Sequence, residues 1–314
     1  MDRAHPRYLL RNGELIAYDS ATVHVLSTAM KYGAIVFEGF RAYWNESQGQ
    51  LHCFRLHDHF RRMVGSLRIS RIPGPTDVDA YVDDLLGLIR ANELRQDLHM
   101  RVQVFVEADD GSLSSVEPVT VTMAAMPMGR YFRHEGLHVQ VSSWTRISDS
   151  TMPPRVKTVP NYHNSRLALL QARVDGYDDA ILLTRDGHVA EGPGYALFMV
   201  RDGVVVTPPA TDGILESITR HSIITLARKA GLTVVERSID RTELYLAEEL
   251  FFCGTAAEVT PILSVDRHAV GGGSPGQRTG QLIEAYRAVT VGEAADEFGW
   301  RTPVYVGTAV LGPP

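Results

Sequence analysis

The chain has 314 residues and a formal charge of -6, with 44% apolar, 8% aromatic and 22% charged residues, the composition of an ordered soluble protein of one large or two medium domains. Disordered and fibrous classes are excluded. Arginines alternate with acids instead of forming a broad basic face, so no nucleic-acid partner is expected and a small molecule is. Of the 31 basic residues only Lys31, Lys157 and Lys229 are lysines, so any lysine chemistry has few candidates.

Cys53 and Cys253 stand far apart, with no CxxC or Cys/His ligand spacing, which suggests buried thiols and neither a disulfide framework nor a zinc site. The amino terminus shows no apolar core of a signal peptide, and no run of about 18 apolar residues follows. A cytoplasmic protein without a membrane partner is expected.

In chain order, residues 8 to 18 read as a hairpin around Asn12-Gly13. Strand-like runs follow at Ala34 to Tyr43 and Leu51 to Arg55. The spacing then predicts a helix from His57 to Ile69, with Phe60, Met63, Val64 and Leu67 on one stripe. A second helix, Val78 to Leu94, buries Tyr81, Leu85 and Leu88 and is capped by Thr76 or Asp77. Strands at Met100 to Glu107 and Pro118 to Ala125 complete residues 1-126, an α+β domain. Residues 127-136, within the stretch Met126 to Gly136, read as a linker. Residues 137-314 form the larger domain: a strand at Leu137 to Ser142, a Pro-rich loop from Met152 to Pro160, a helix from about Asn164 to Val174, and short strands around Asp-Gly turns at Arg185 to Gly187 and Arg201 to Gly203. A helix from Ser217 to Gly231, strands at Leu232 to Arg237 and Leu250 to Cys253, and a helix from Gln281 to Val291 close it. Many strands with segregated helices favour two α+β domains over a doubly wound sheet, and no GxGxxG follows a strand.

Lys157 lies in a stiff loop bracketed by Pro153, Pro154 and Pro160, where partial desolvation could leave its amine neutral; an exposed loop lysine fits the local sequence equally well. Glu191-Gly192-Pro193-Gly194 is either a plain turn or a place where backbone passes close to a ligand. Two segments could hold a phosphate on helix-start amides, Leu215 to Arg220 and Gly254 to Ala257, although capping explains Ser217 as well. His57-Asp58-His59 points its side chains to different helix faces, so no metal site is expected.

Taken together these segments resemble the branched-chain aminotransferases of the class IV, fold-type IV pyridoxal-phosphate enzymes, from about Tyr8 to Trp300. The resemblance is carried by Val23-His24-Val25, Lys31-Tyr32-Gly33 with Val36 to Gly39, Phe54-Arg55 with Arg62, Val141 to Trp144, Lys157 with Asn161-Tyr162, Glu191-Gly192 with Gly194, Ile218-Thr219-Arg220, and Gly254 to Glu258 with Thr260-Pro261. It implies a two-domain α+β architecture like that of D-amino-acid aminotransferase, with pyridoxal 5'-phosphate at the domain interface, and a homodimer or higher homo-oligomer in which the partner's small domain completes each pocket.

The resemblance also implies roles. Lys157 would form the cofactor aldimine and shuttle the proton, Glu191 would pair with the pyridine nitrogen, and Tyr162 would bond the ring hydroxyl. Arg62, Leu215, Ile218, Thr219, Gly254 and Thr255 would complete the cofactor site. Tyr32, Phe37, Arg41, His99, Arg101, Met128, Tyr131, Gly194, Thr255 and Ala256 would line the substrate site, with Arg101 receiving the side-chain carboxylate of glutamate. The expected reaction moves an amino group between a branched-chain or related hydrophobic L-amino acid and 2-oxoglutarate by ping-pong kinetics, as branched-chain amino acid biosynthesis requires. Tyr195-Ala196, His99 and Met128 depart from the family pattern. Tyr195-Ala196 and His99 keep open a transaminase for D-amino acids or primary amines, and a lyase of the aminodeoxychorismate type is the other alternative.

Overall fold

The computed structural model describes residues 5–132 and 135–305. The chain divides into two compact units. The first comprises residues 1–129, 156–159 and 288–314, and the second residues 130–155 and 160–287. The contiguous division expected from sequence therefore becomes an interleaved one, because short segments far along the chain complete the sheet of the first unit.

In the first unit the Asn12-Gly13 turn, with both residues at positive φ, joins β1 (Tyr8–Arg11) to β2 (Glu14–Ala17) as expected. After the short helix α1 (Thr28–Tyr32) come β3 (Ile35–Asn45), β4 (Gln50–Phe54), helices α2 (Leu56–Ser70) and α3 (Val78–Ala91), and strands β5 (Leu98–Val106) and β6 (Val119–Pro127). They form an antiparallel sheet ordered Arg301–Pro303, β4, β3, β5, β6, β1, β2. Residues 301–303 of the tail thus pair with β4 as an edge strand, and residues 306–314 lie outside the described residues.

Alternation along β3 and β5 sends Val36, Phe40, Ala42, Leu98, Met100, Val102 and Val104 into one core with the stripe of α2. Phe60, Met63 and Leu67 of that stripe are buried and Val64 is half-buried; each fully buried side chain contributes about 1.5–3 kcal/mol. Asp77, not Thr76, caps α3 by accepting from the Asp79 and Ala80 amides, a contribution of about 1 kcal/mol.

The second unit contains β7 (Leu137–Val141), α4 (Val159–Val174, from its second residue on), β8 (Asp179–Ile181), β9 (Ala196–Arg201), β10 (Val204–Thr207), α5 (Ile218–Lys229), β11 (Val234–Glu236), β12 (Glu249–Gly254), β13 (Glu258–Val265), β14 (His268–Ala269) and most of α6 (Gln277–Thr290). Its sheet runs β11, β10, β9, β12, β13, β7, β8 and is mixed: β10–β11, β13–β7 and β7–β8 are parallel. Helix α4 starts five residues earlier than the sequence suggested. Pro160 is its second residue, where a missing N–H breaks no helical hydrogen bond. Among the described residues no helix is long and apolar enough to cross a membrane.

Candidate functional site

In the first unit, β4 pairs with β3 only over Ala42 to Asn45, which leaves the start of that β3 edge open to another segment. Residues 156–158 take the place. The Phe37 N–H donates to the Lys157 carbonyl at 3.0 Å, Thr158 bridges Val36 and donates its hydroxyl to the Ile35 carbonyl at 2.5 Å, and the Lys157 N–H donates to Ser66 Oγ on α2 at 3.2 Å. The loop that carries Lys157 is thereby tied to the β3 edge through its backbone. Its side chain is half-buried, with Nζ 4.8 Å from the centre of the Phe37 ring.

The two faces of β3 carry different chemistry beside this lysine. On the helix side Glu38 is fully buried. Arg62 of α2 grips its carboxylate with Nε to Oε1 at 2.7 Å and Nη2 to Oε2 at 2.8 Å, and His59 Nδ1 donates to Oε2 at 2.8 Å. His59, Arg62 and Ser66 fall on one helix face at i, i+3 and i+7. Burial alone would raise the Glu38 carboxyl, but Arg62 and His59 overcome it and hold the group at about 2. Burial lowers His59 and the Glu38 contacts only partly offset that, so its ring stays neutral near pH 7 with the proton on Nδ1.

On the opposite face the register sets Arg41 against His99, Gly39 against Arg101 and Phe37 against Gln103, so all these side chains share one surface. Arg101 lies over the Phe37 ring at 4.1 Å and donates to Gln103 Oε1 at 2.8 Å, while Arg41 donates to the Gly129 carbonyl at 2.9 Å. Burial, with Arg41, Arg101 and Lys157 nearby, pushes His99 down to about 4. Met128 stands at the end of this face, its amide bonded to the Asp97 carbonyl at 2.9 Å. Tyr32 does not join it. It is exposed on α1, under the Lys31 ammonium and beside the Gly111 carbonyl.

In the second unit Glu191 is buried, and its carboxylate is fixed from two sides. Arg146 Nη2 meets Oε1 at 2.6 Å and the Leu215 N–H donates to Oε2 at 3.2 Å. Arg146 is anchored in turn on the Gly213 carbonyl and Ser165 Oγ, both at 3.2 Å. Gly192 is required beside it: a Cβ there would stand 2.8 Å from the Phe252 ring. The Leu215 segment runs into α5, whose first turn presents Ile218 and Thr219, while Ser217 accepts from the Arg220 amide at 3.2 Å. The Arg220 side chain is buried in bonds to Thr207, Pro208 and Glu236 and serves the fold. Thr255 and Ala256 form the turn between β12 and β13, and Gly254 approaches the Gly194 carbonyl, to which a Cβ would come within 3.3 Å. Tyr162 lies on α4, two residues before the expected helix start at about Asn164.

The departure at Tyr195-Ala196 has a packing reason. Tyr195 is buried against Phe252, Phe132 and the exposed Tyr131, and Ala196 opens β9. Sequence reasoning assigned no role to Glu38, His59, Ser66 or Arg146, although Glu38 lay in a quoted stretch and Arg146 two residues past another. Among the described residues no cluster of His, Cys, Asp and Glu could hold a metal ion.

A model of the amino-transferase class IV family matches residues 35–265. The branched-chain-amino-acid aminotransferase of Salmonella typhimurium is 40% identical over 304 residues, covering 95% of this chain and 97% of the relative. Among solved structures, the branched-chain aminotransferase of Thermoproteus uzoniensis with norvaline is 40% identical with a TM-score of 0.92, over 96% of this chain and 100% of that one. The branched-chain amino acid aminotransferase of Thermobaculum terrenum in its PLP form is 42% identical with a TM-score of 0.91, over 96% and 99%. With near-complete coverage, one fold throughout and a lysine, a buried carboxylate and a helix start in the expected order, the chain belongs to the class IV aminotransferases, in their branched-chain family.

Proposed function

We propose that this protein is a branched-chain-amino-acid transaminase that uses pyridoxal 5'-phosphate and exchanges amino groups with glutamate and 2-oxoglutarate. The observation that carries the reading is an amine, Lys157, pinned by its backbone beside a sheet face bearing Arg41 and Arg101. The donor set fits the cofactor: a half-buried lysine for its carbonyl carbon, a buried carboxylate compensated by Arg146 for its pyridine nitrogen, and the first turn of α5 for its phosphate. Arg62, Ile218, Thr219 and Thr255 would hold the phosphate end, Leu215 and Gly254 would complete the cofactor site, and Tyr162 would bond the ring hydroxyl. When bound, pyridoxal phosphate supplies an electron-withdrawing ring that stabilises the charge left when the substrate α-proton departs.

The protein's part is acid–base and positional. Lys157 Nζ takes the α-proton and returns it one step later, which requires a backbone that does not drift, as its bonds to Phe37 and Ser66 ensure. Arg146 keeps the Glu191 carboxylate aimed and negative when a protonated nitrogen faces it. Thr255 and Ala256 amides would take the substrate α-carboxylate, next to Gly194. Phe37, Met128, Tyr131 and a partner's Tyr32 would shape an apolar pocket, while Arg41 and Arg101 receive a second carboxylate. Because both substrates use the same groups in turn, ping-pong kinetics are expected. A cytoplasmic homodimer is part of the proposal; Val25, Leu26 and Met30, exposed around α1, support a buried interface there.

The D-amino-acid, amine and lyase alternatives are not favoured, since Tyr195 is accounted for by packing and the relatives are branched-chain transaminases. Amino transfer from L-glutamate to 4-methyl-2-oxopentanoate tests the reading. Silence with every branched-chain keto acid would refute it, and pyruvate released from aminodeoxychorismate without an amino acceptor would decide for the lyase.

A further inference from the structure

His99 is unusual on its surface. Its Nδ1 is buried without a hydrogen-bond partner, and the charges that act on it most strongly are cations. The ring leans across Gly39, where a Cβ would approach Cε1 to 3.2 Å, so the glycine makes room for it between Arg41 and Arg101. Arg41 on the paired strand β3 and Arg101 on its own strand flank it on this face, Lys157 adds positive charge nearby, and His59 of α2 lies on the other side of the sheet. Its register partner on β6 is Met126, and Asp97 is turned away to accept from the Trp44 amide. An unfilled polar nitrogen amid like charges is costly unless a ligand supplies what is missing.

We infer that His99 is a specificity-determining residue that takes up one proton from solvent when an acidic side chain binds at Arg41 and Arg101, and none when a branched-chain side chain occupies the pocket. The inference rests on the transaminase reading. A side-chain carboxylate accepts from both guanidinium groups and offsets the positive field that keeps the imidazole neutral in the free protein. The protonated ring then donates to it or to a bridging water. A branched alkyl group brings no charge and leaves the ring neutral. Linkage gives the sign: affinity for the dicarboxylate rises as pH falls through the ring's pKa in the complex, by up to about tenfold per pH unit, while affinity for the monocarboxylate does not follow. Glutamate and 2-oxoglutarate are thereby favoured over branched-chain competitors as pH drops.

The test uses the holoenzyme. KM for 2-oxoglutarate and for 4-methyl-2-oxopentanoate is measured from pH 7.5 to 5.5, a window in which the second carboxylate of 2-oxoglutarate remains ionised. Titrations shared by both substrates cancel in the ratio. The ratio of affinities should shift toward 2-oxoglutarate at least about threefold at the acid end, and His99→Gln should flatten it. Calorimetry of glutarate binding near pH 6.5, where both glutarate carboxylates are ionised, in two buffers of different ionisation enthalpy should show net proton uptake, and 4-methylvalerate should show less. This measurement needs no variant, so it decides even if His99→Gln does not fold. A flat wild-type ratio with equal proton uptake for both ligands, or an unchanged slope in His99→Gln, overturns the inference while leaving the transaminase reading intact. Transfer to neither keto acid overturns both.

Discussion

Replacing Arg146 by methionine should expose how Glu191 is held. The side chains of this pair are each only 6% exposed, with 2.6 Å between Nη2 and Oε1, so solvent cannot compensate the loss of either partner. The variant leaves Glu191 with the Leu215 amide alone and strips a donor from the Gly213 carbonyl and from Ser165. Breaking a buried pair from one side costs about 3–5 kcal/mol, because an unpaired charge stays inside. Methionine fills most of the aliphatic volume, so cavity formation adds little. Glu191→Gln should also destabilise, by leaving the Arg146 guanidinium unpaired. The double variant should recover about 2 kcal/mol or more relative to the sum of the single effects, since neither charge then remains buried. Urea denaturation of the four proteins, with slopes compared to confirm a common unfolding transition, gives the coupling energy. If Arg146→Met alone lies within about 1 kcal/mol of wild type, water or an unseen cation solvates Glu191, and the account of Arg146 fails.

Other expectations test separate parts of the structure. Glu38 is held at about 2, below its unfolded value of 4.5, so its contribution is complete above about pH 4.5 and is lost as pH falls through 2; the shift corresponds to about 3 kcal/mol. Glu38→Gln should remove that acid limb from a plot of urea midpoint against pH, and an unchanged limb would rule out the Arg62 and His59 contacts as its origin. Gly192→Ala should cost about 1–3 kcal/mol by driving a methyl group into the Phe252 ring, with partial recovery in the Phe252→Leu background. Both cysteines are fully buried, and burial pushes the Cys53 thiol up to about 12 and raises Cys253 as well. A thiol reagent should therefore label neither without denaturant; rapid labelling of the native protein would contradict this.

The sequence was most informative where a regular repeat faces a core. The stripe of α2, the Asn12-Gly13 hairpin and the Asp77 cap are local patterns whose physics is complete within a few residues. It was less informative where partners come from distant segments. Glu38 reads as one polar residue in an apolar strand, and only the register of β3 against α2 joins it to His59 and Arg62. His59, for which no metal role was expected, is an Nδ1 donor to that carboxylate. The Lys157 loop docks by its backbone on β3 because β4 leaves part of that edge unpaired, a fact no local window contains. Residues 301–303 fill the far edge of the same sheet for a similar reason. Arg146 was hidden by composition: it is one of 28 arginines, and neither its local sequence nor the resemblance singled it out before its burial and partner were known.

Of the three lysines, Lys157 is the one proposed to do the chemistry. Borohydride reduction of the holoenzyme followed by peptide mapping measures this directly, since it fixes the cofactor to the amine that holds it. The pyridoxyl mass should appear on the peptide containing Lys157 and be lost in Lys157→Ala. The same mass on Lys31 or Lys229, or on no lysine in a protein that still transfers amino groups, would contradict it.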